Sequence, residues 1–346
     1  MPQLAPEAPS SAATADQRHF RFRDHYEVGR EKIGEFARAV QNSHRAHRYD
    51  DDAAELGWDR VVAPPTFGSV IGLNITRILL DTALSRYDLS QILQTDQVFD
   101  IHRPIMAGDR LRSQAVIESV RRVRGNDFIT VKAIFLDESD TVVLSGDTSL
   151  VARLGAADPE IARLVEGIVM PRHSIADEPN VLTAVGPEEI ARIPDLAESR
   201  SGTPVHTEPT FEDLTAGYRL PDSTMRLTRG DLVNYAGVSG DPNPIHFSDR
   251  AAELAGLPTV VAHGLLTMGL GAQYLTAWLG DPTAIESYSV RLAGFVPVDA
   301  RSPAHIEFTG RIKALDPERR TATILLNATS GGKKLFGRAM AQVRLS

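Results

Sequence analysis

Asp241 and His246 lie five residues apart in the stretch 235–246, YAGVSGDPNPIH. A carboxylate and an imidazole within reach of one bound molecule are the pair that general acid–base chemistry requires. Pro242 and Pro244 stand between them. Each fixes its own φ and drives the preceding residue toward extended geometry, so the segment reads as a stiff loop holding two proton-transfer groups at a set separation. Farther on, His263 and Gly264 open an almost wholly apolar run. That run predicts a buried helix with Gly264 in its first turn, where backbone N–H groups lack an intrahelical acceptor and can face a polarised carbonyl. An acid, a base and an oxyanion donor thus fall within one segment.

The elements that must position these groups occur twice. Phe36-Ala37 precedes Tyr235-Ala236 by 199 residues, His47 precedes His246 by 199, and Val61-Val62-Ala63 precedes Val260-Val261-Ala262 by 199. Ala53-Ala54-Glu55-Leu56 matches Ala251-Ala252-Glu253-Leu254 at 198, as one small indel and its reversal would produce. A single repeat of this length indicates a duplicated domain rather than a solenoid. The copies differ where chemistry would be done. Asp241 corresponds to Asn42, an amide that exchanges no proton near neutral pH. Gly264 corresponds to Pro65, whose nitrogen carries no hydrogen. The first copy is therefore expected to keep the scaffold and lose the catalysis; the competing view makes His47 and His246 ordinary structural histidines.

The predicted elements describe two α+β units, each a sheet wrapped around one long helix. In the first, helical spacing of Ile33, Phe36, Ala37 and Val40 is followed by an apolar helix after Pro65. Strands are expected near Ile92 to Ile101, Arg110 to Val123, Asp127 to Leu136 and Val142 to Val151. In the second, a helix from about Gly264 to Leu279 precedes strands near Glu286 to Val296, His305 to Ala314, Thr321 to Thr329 and Leu335 to Leu345. The expected organisation is a disordered tail (1–18), an N-terminal domain (19–153), a linker (154–206) with helix-like pieces at Pro159 to Val169 and Pro187 to Ile193, and a C-terminal domain (207–346). A linker of that length lets the copies pair side by side.

Composition removes several function classes. A net charge of −8 argues against general nucleic-acid binding and against a basic membrane-surface protein. With no cysteine there is no disulfide and no thiolate chemistry, and the ten histidines show no HExxH spacing, so neither a metal nor another cofactor is expected. The first residues lack the basic and apolar regions of a secretion signal, and no apolar run is long enough to span a bilayer. The expected setting is the cytoplasm.

The motif YAGVSGDPNPIH followed by AHG at a helix head resembles the MaoC-like, R-specific enoyl-thioester hydratase and dehydratase family, which has the hotdog fold. The second copy, from Phe211 through GGKKLFGRAMAQVRL, is similar to the catalytic subunit of the mycobacterial type II fatty-acid-synthase (3R)-hydroxyacyl-carrier dehydratase. The first, HYEVGREKIGEFARAV through HRPIMAGDRL, is similar to its non-catalytic partner. The resemblance implies a double hotdog formed by fusing the two, acting on acyl thioesters of coenzyme A or acyl carrier protein, with an internal pseudo-dimer open to further dimerisation. By position it implies Asp241 and His246 as the catalytic dyad, Asn243 as the motif asparagine, and Gly264 as the residue facing the thioester carbonyl. For dehydration the expectation is that His246 takes the α-proton and Asp241 protonates the departing hydroxyl, although the sequence does not fix which of the two handles which proton; hydration is the reverse. His263 is grouped with the substrate-binding residues, although a hydrogen-bonding role at the helix entry is the plainer expectation. The segment Pro297-Val298-Asp299-Ala300 departs from the Gly-Asp turn of many relatives.

Rival chemistries leave different marks. A hotdog thioesterase would need a carboxylate on the central helix, and 264–279 contains no Asp or Glu. A non-catalytic acyl-binding protein would explain apolar helices but not an acid–base loop kept in one copy only. For docking an acidic carrier protein, Lys333, Lys334 and Arg338 are the candidates, with Arg319 and Arg320. Gly68 and Gly72 on the first copy's helix either widen a channel for an acyl chain or permit close helix–sheet packing.

Overall fold

The computed structural model describes residues 17–87, 91–153, 159–170, 178 and 180–346. Most of the expected tail, and residues 154–158 and 171–177 of the expected linker, lie outside them. The first copy runs β1 (Arg18–Glu27), α1 (Arg30–Ala39), α2 (Asp50–Ala54), α3 (Gly68–Asp81), β2 (Ile92–Ile101), β3 (Arg110–Val123), β4 (Asn126–Leu136) and β5 (Val142–Arg153). The connecting region contributes α4 (Pro159–Ile168), β6 (Leu182–Val185) and α5 (Leu196–Ser199). The second copy runs β7 (Ser223–Leu227), α6 (Arg229–Ser239), α7 (Asp249–Leu254), α8 (Gly264–Leu279), β8 (Ile285–Leu292), β9 (Ala304–Asp316), β10 (Thr321–Ser330), β11 (Lys333–Lys334) and β12 (Phe336–Arg344).

The two copies share one antiparallel sheet, ordered β6-β1-β3-β4-β5-β2-β8-β12-β10-β9-β7, with the short β11 beside β10. The order within the first copy is reversed in the second about the seam between β2 and β8. That seam carries Asp96 opposite Arg291, Gln97 opposite Val290 and Phe99 opposite Tyr288. On the helical side α1 lies against α6, where Phe36 meets Tyr235, its own counterpart 199 residues on, with ring centroids 6.3 Å apart. The double hotdog architecture follows: two helices wrapped by one continuous sheet.

Helix α8 is apolar on nearly every face, which is the pattern of a helix enclosed rather than laid on a surface. Leu266, Leu270, Leu275 and Leu279 are fully buried, each worth about 1.5–3 kcal/mol relative to exposure. Its C-terminus is closed by Gly280 in the left-handed region. The first copy departs from expectation at the equivalent place. Pro64 and Pro65 lead into a turn, and α3 begins only at Gly68.

The connecting region is docked along the first copy. Strand β6 pairs with β1 at the sheet edge, and Ile190, Ala191 and Ile193 pack on Ile134, Leu136 and Val142. The expected helix from Pro187 to Ile193 shrinks to the single turn Pro187–Glu189, because the residues beyond it cover that apolar patch instead. Fully buried Arg200 donates to the Thr283 carbonyl of the second copy. No described helix is long and apolar enough to cross a membrane.

Candidate active site

The Asp241 loop is built between a helix stop and a helix start. Helix α6 opens on a capping box in which Thr228 and Asp231 satisfy each other's backbone N–H groups. It closes at Gly240, whose φ of 78° turns the chain sharply. The first copy makes the same turn with Gln41 at φ 55°. The Asp241 N–H then donates to Ser239 Oγ at 3.3 Å, and Asp241 Oδ1 accepts the Asn243 N–H at 3.1 Å. Asn243 Oδ1 in turn accepts the Ile245 N–H. Two successive side-chain turns thus brace the loop, using one carboxylate oxygen of Asp241 and leaving the other free of this duty. Among the groupings expected from sequence, Asn243 serves the loop through its oxygen.

His246 is buried and its Nδ1 lies 2.7 Å from the Val261 carbonyl. A carbonyl only accepts, so Nδ1 carries the proton and Nε2 presents its lone pair as a base. His47 makes the same bond to Val62 at the same 2.7 Å. The strand-like pairings that set this distance are also duplicated: Val62 N–H to Ala46 O and Val261 N–H to Ile245 O. The surface pairs Arg30–Asp50 and Arg229–Asp249, again 199 apart, mark the same correspondence; such exposed pairs add little stability.

One donor atom each of Asp241, His246 and His263 lies within 4.8 Å of the others. That separation leaves room for one water or hydroxyl hydrogen-bonded to two of them. The His263 side chain caps nothing, and its ring stacks on His246 at 3.7 Å with 27° between the planes. The Asp241 carbonyl lies beside the His263 ring.

Gly264 is the first residue of α8, so its N–H has no acceptor within the helix. A Cβ there would collide with the Leu292 Cδ1. Tyr235, absent from the expected site, extends the cluster: its ring lies 4.9 Å from His263, and its hydroxyl faces Ser69 on α3 of the first copy. Ser69 and Leu265, which follows Gly264, line a narrow slot, part of it open to solvent. Its other walls come from the first copy, including Gly68, Gly72, Gln97, Phe99 and Thr148. The signal for Tyr235 was available in the repeat, since the second copy has a hydroxyl where the first copy has Phe36.

The basic residues separate into two groups. Arg319 pairs with Glu286 at 3.2 Å and Arg320 with Glu212. Lys333, Lys334 and Arg338 are exposed. The Lys334 carbonyl packs against Gly294, two residues from the Leu292 side chain that covers Gly264. The Lys333–Lys334 hairpin therefore borders the helix head.

Burial lowers the pKa of three histidines: His47 to about 3, His246 despite the opposing Asp241 charge and Val261 carbonyl, and His263 well below its ordinary value, helped by His246. Each is neutral in the fold near pH 7. In the unfolded chain they bind protons near pH 6.5, so the unfolded state gains protons first as pH falls, and stability declines below that value, by about 1.4 kcal/mol per pH unit from His47. The urea midpoint is expected to drop steadily from pH 7.5 to pH 5. A midpoint that stays level over that range would contradict the buried-neutral assignment.

Residues 18–145 match the FAS1-like dehydratase domain region, and residues 212–329 match the MaoC-like domain. A UPF0336 protein of Saccharopolyspora erythraea is 38% identical over 135 residues, 39% of this chain and 86% of the relative. Another, of Mycobacterium tuberculosis, is 40% identical over 137 residues, 40% of this chain and 87% of the relative. The solved structure of a MaoC-like dehydratase is 41% identical, with 96% of this chain and 99% of that one covered at a TM-score of 0.86. A Mycobacterium tuberculosis protein with a double hotdog fold, 13% identical, matches 95% of this chain and 96% of its own at a TM-score of 0.59, a likeness of fold alone. The chain belongs to the MaoC-like dehydratase family, with the two hotdog units in one polypeptide.

Proposed function

We propose that the protein interconverts (3R)-hydroxyacyl thioesters and trans-2-enoyl thioesters in fatty-acid metabolism. The observation that carries this reading is the asymmetry of the pair. Asp241 and His246 approach a common point in the second copy, and Leu265, next to Gly264, lines a slot whose other walls belong to the first. In dehydration, His246 Nε2 removes the proton from C2, the C2–C3 double bond forms, and the C3 hydroxyl leaves as water with a proton from Asp241. The thioester oxygen gains charge in the transition state, and the Gly264 N–H donates to it. In hydration the same proton pair runs backward. The proton taken from C2 and the proton given to the departing hydroxyl balance within the dyad. The acyl chain runs from Gly264 past Leu265 into the slot.

Adding crotonyl-CoA tests the reading. Enoyl absorbance is expected to fall without release of thiol, and the product is expected to be oxidised by an R-specific but not an S-specific 3-hydroxyacyl dehydrogenase. Thiol release would make the protein a hydrolase, and unchanged absorbance would leave an acyl binder. Carrier docking belongs to the same proposal. Lys333→Glu with Lys334→Glu is expected to raise KM for carrier-protein substrates while leaving that for the coenzyme A thioester; equal effects on both would remove the hairpin from docking.

A further inference from the structure

The two copies treat the space beside their central helices differently. Hydrogen bonds of Ala293 and Gly294 to the Leu335 carbonyl repeat those of His102 and Arg103 to the Val143 carbonyl. Ala262 N–H to Val296 O likewise repeats Ala63 N–H to Ile105 O. Residues on this side therefore correspond at 191, which sets Tyr288 on β8 against Gln97 on β2. On the helices Gly271 corresponds to Gly72 at 199. In the catalytic copy the Tyr288 hydroxyl occupies the space where a Gly271 Cβ would stand, whereas nothing lies within 4 Å of the same point at Gly72. The slot is open in the first copy because a glutamine replaces the tyrosine that plugs the second.

In an otherwise mainly apolar lining, Gln97 and Thr148 form a polar spot. Gln97 Oε1 accepts from Thr148 Oγ1 and from Gln94 Nε2, each at 2.9 Å, and Gln97 Nε2 donates to the Val98 carbonyl at 2.9 Å. This network fixes the amide and leaves one Gln97 N–H and a Thr148 lone pair unused. Ser69 Oγ also lines the slot, on a residue 4% exposed that faces the Tyr235 hydroxyl. A plain alkyl chain would desolvate these groups and return nothing to them. Resting on the proposed thioester reading, we infer that the slot selects acyl chains carrying a hydroxyl or ketone oxygen beyond the reacting carbons, bound by Gln97, Thr148 and Ser69.

The test compares kcat/KM for trans-2-enoyl-CoA thioesters of equal length, one plain and the others bearing a single hydroxyl or ketone at successive carbons. At least one oxygenated member is expected to exceed the plain chain by about tenfold. Gln97→Leu combined with Thr148→Val is expected to reverse that ratio, by favouring the plain chain and penalising the oxygenated one. A plain chain turned over fastest by the unaltered protein, or a ratio unmoved by the substitutions, overturns the inference. Crotonyl-CoA, which ends one carbon past the double bond, separates the two failures. If it is hydrated and no preference appears, the slot inference alone falls; if it is not, the reading of the site falls. The substrate panel on the unaltered protein stands even where the variant does not fold.

Discussion

Asp241→Asn is expected to lower kcat/KM for hydration by about 10²- to 10⁴-fold, the usual contribution of a positioned acid or base, with little change in thermal midpoint. The first copy explains why the fold should tolerate it. Asn42 Oδ1 accepts the His44 N–H at 3.1 Å, the same turn at the same distance that Asp241 Oδ1 makes with the Asn243 N–H. An amide therefore satisfies the loop as well as a carboxylate does, and only proton exchange is lost. His246 keeps its bond to Val261 in the variant, so its orientation and tautomer are preserved. A drop in the thermal midpoint parallel to the loss of activity would instead assign Asp241 to the scaffold.

Gly264→Pro isolates the oxyanion donor in the same way, again by importing the residue found in the first copy. Proline is well accommodated at the first position of a helix, and His263 before it already has ψ 137°, the extended geometry that a following proline demands. The obstacle is Leu292, whose Cδ1 occupies the space of any added Cβ. Both Gly264→Ala and Gly264→Pro are therefore best made with Leu292→Ala. In that background alanine keeps the N–H and proline removes it. Loss of one such donor costs about 2.7–4 kcal/mol, or 10² to 10³ in kcat. Equal activity of the alanine and proline variants would exclude the Gly264 N–H from the transition state.

Much of this arrangement was legible in the sequence because the repeat aligns one copy with the other. The shared spacing identified Asn42 and Pro65 as counterparts of Asp241 and Gly264 without any second sequence, and periodicity marked α8 as enclosed. What escaped depended on long-range register. The slot exists because β2 and β8 pair across the two copies, bringing Gln97 and Tyr288 to equivalent places on either side of the seam; no local pattern encodes that pairing. Ser69 and Tyr235 meet across the same boundary. The stacking of the His263 ring on His246 likewise joins two separate segments, which the position of a histidine before a helix does not encode. Strand β6 and the short turn Pro187–Glu189 show the connecting region answering to the sheet edge and apolar patch it covers, rather than to its own weak helical pattern.

Hydration rates for a mirrored pair of substitutions test the division of labour between the copies most directly. Asn42→Ser retains a side-chain oxygen for the His44 N–H and is expected to leave kcat/KM within a few-fold of the unaltered protein, while Asp241→Asn removes all but a hundredth or less of it. Comparable losses from both substitutions, or full activity in the Asp241 variant, would contradict the assignment of proton transfer to the second copy.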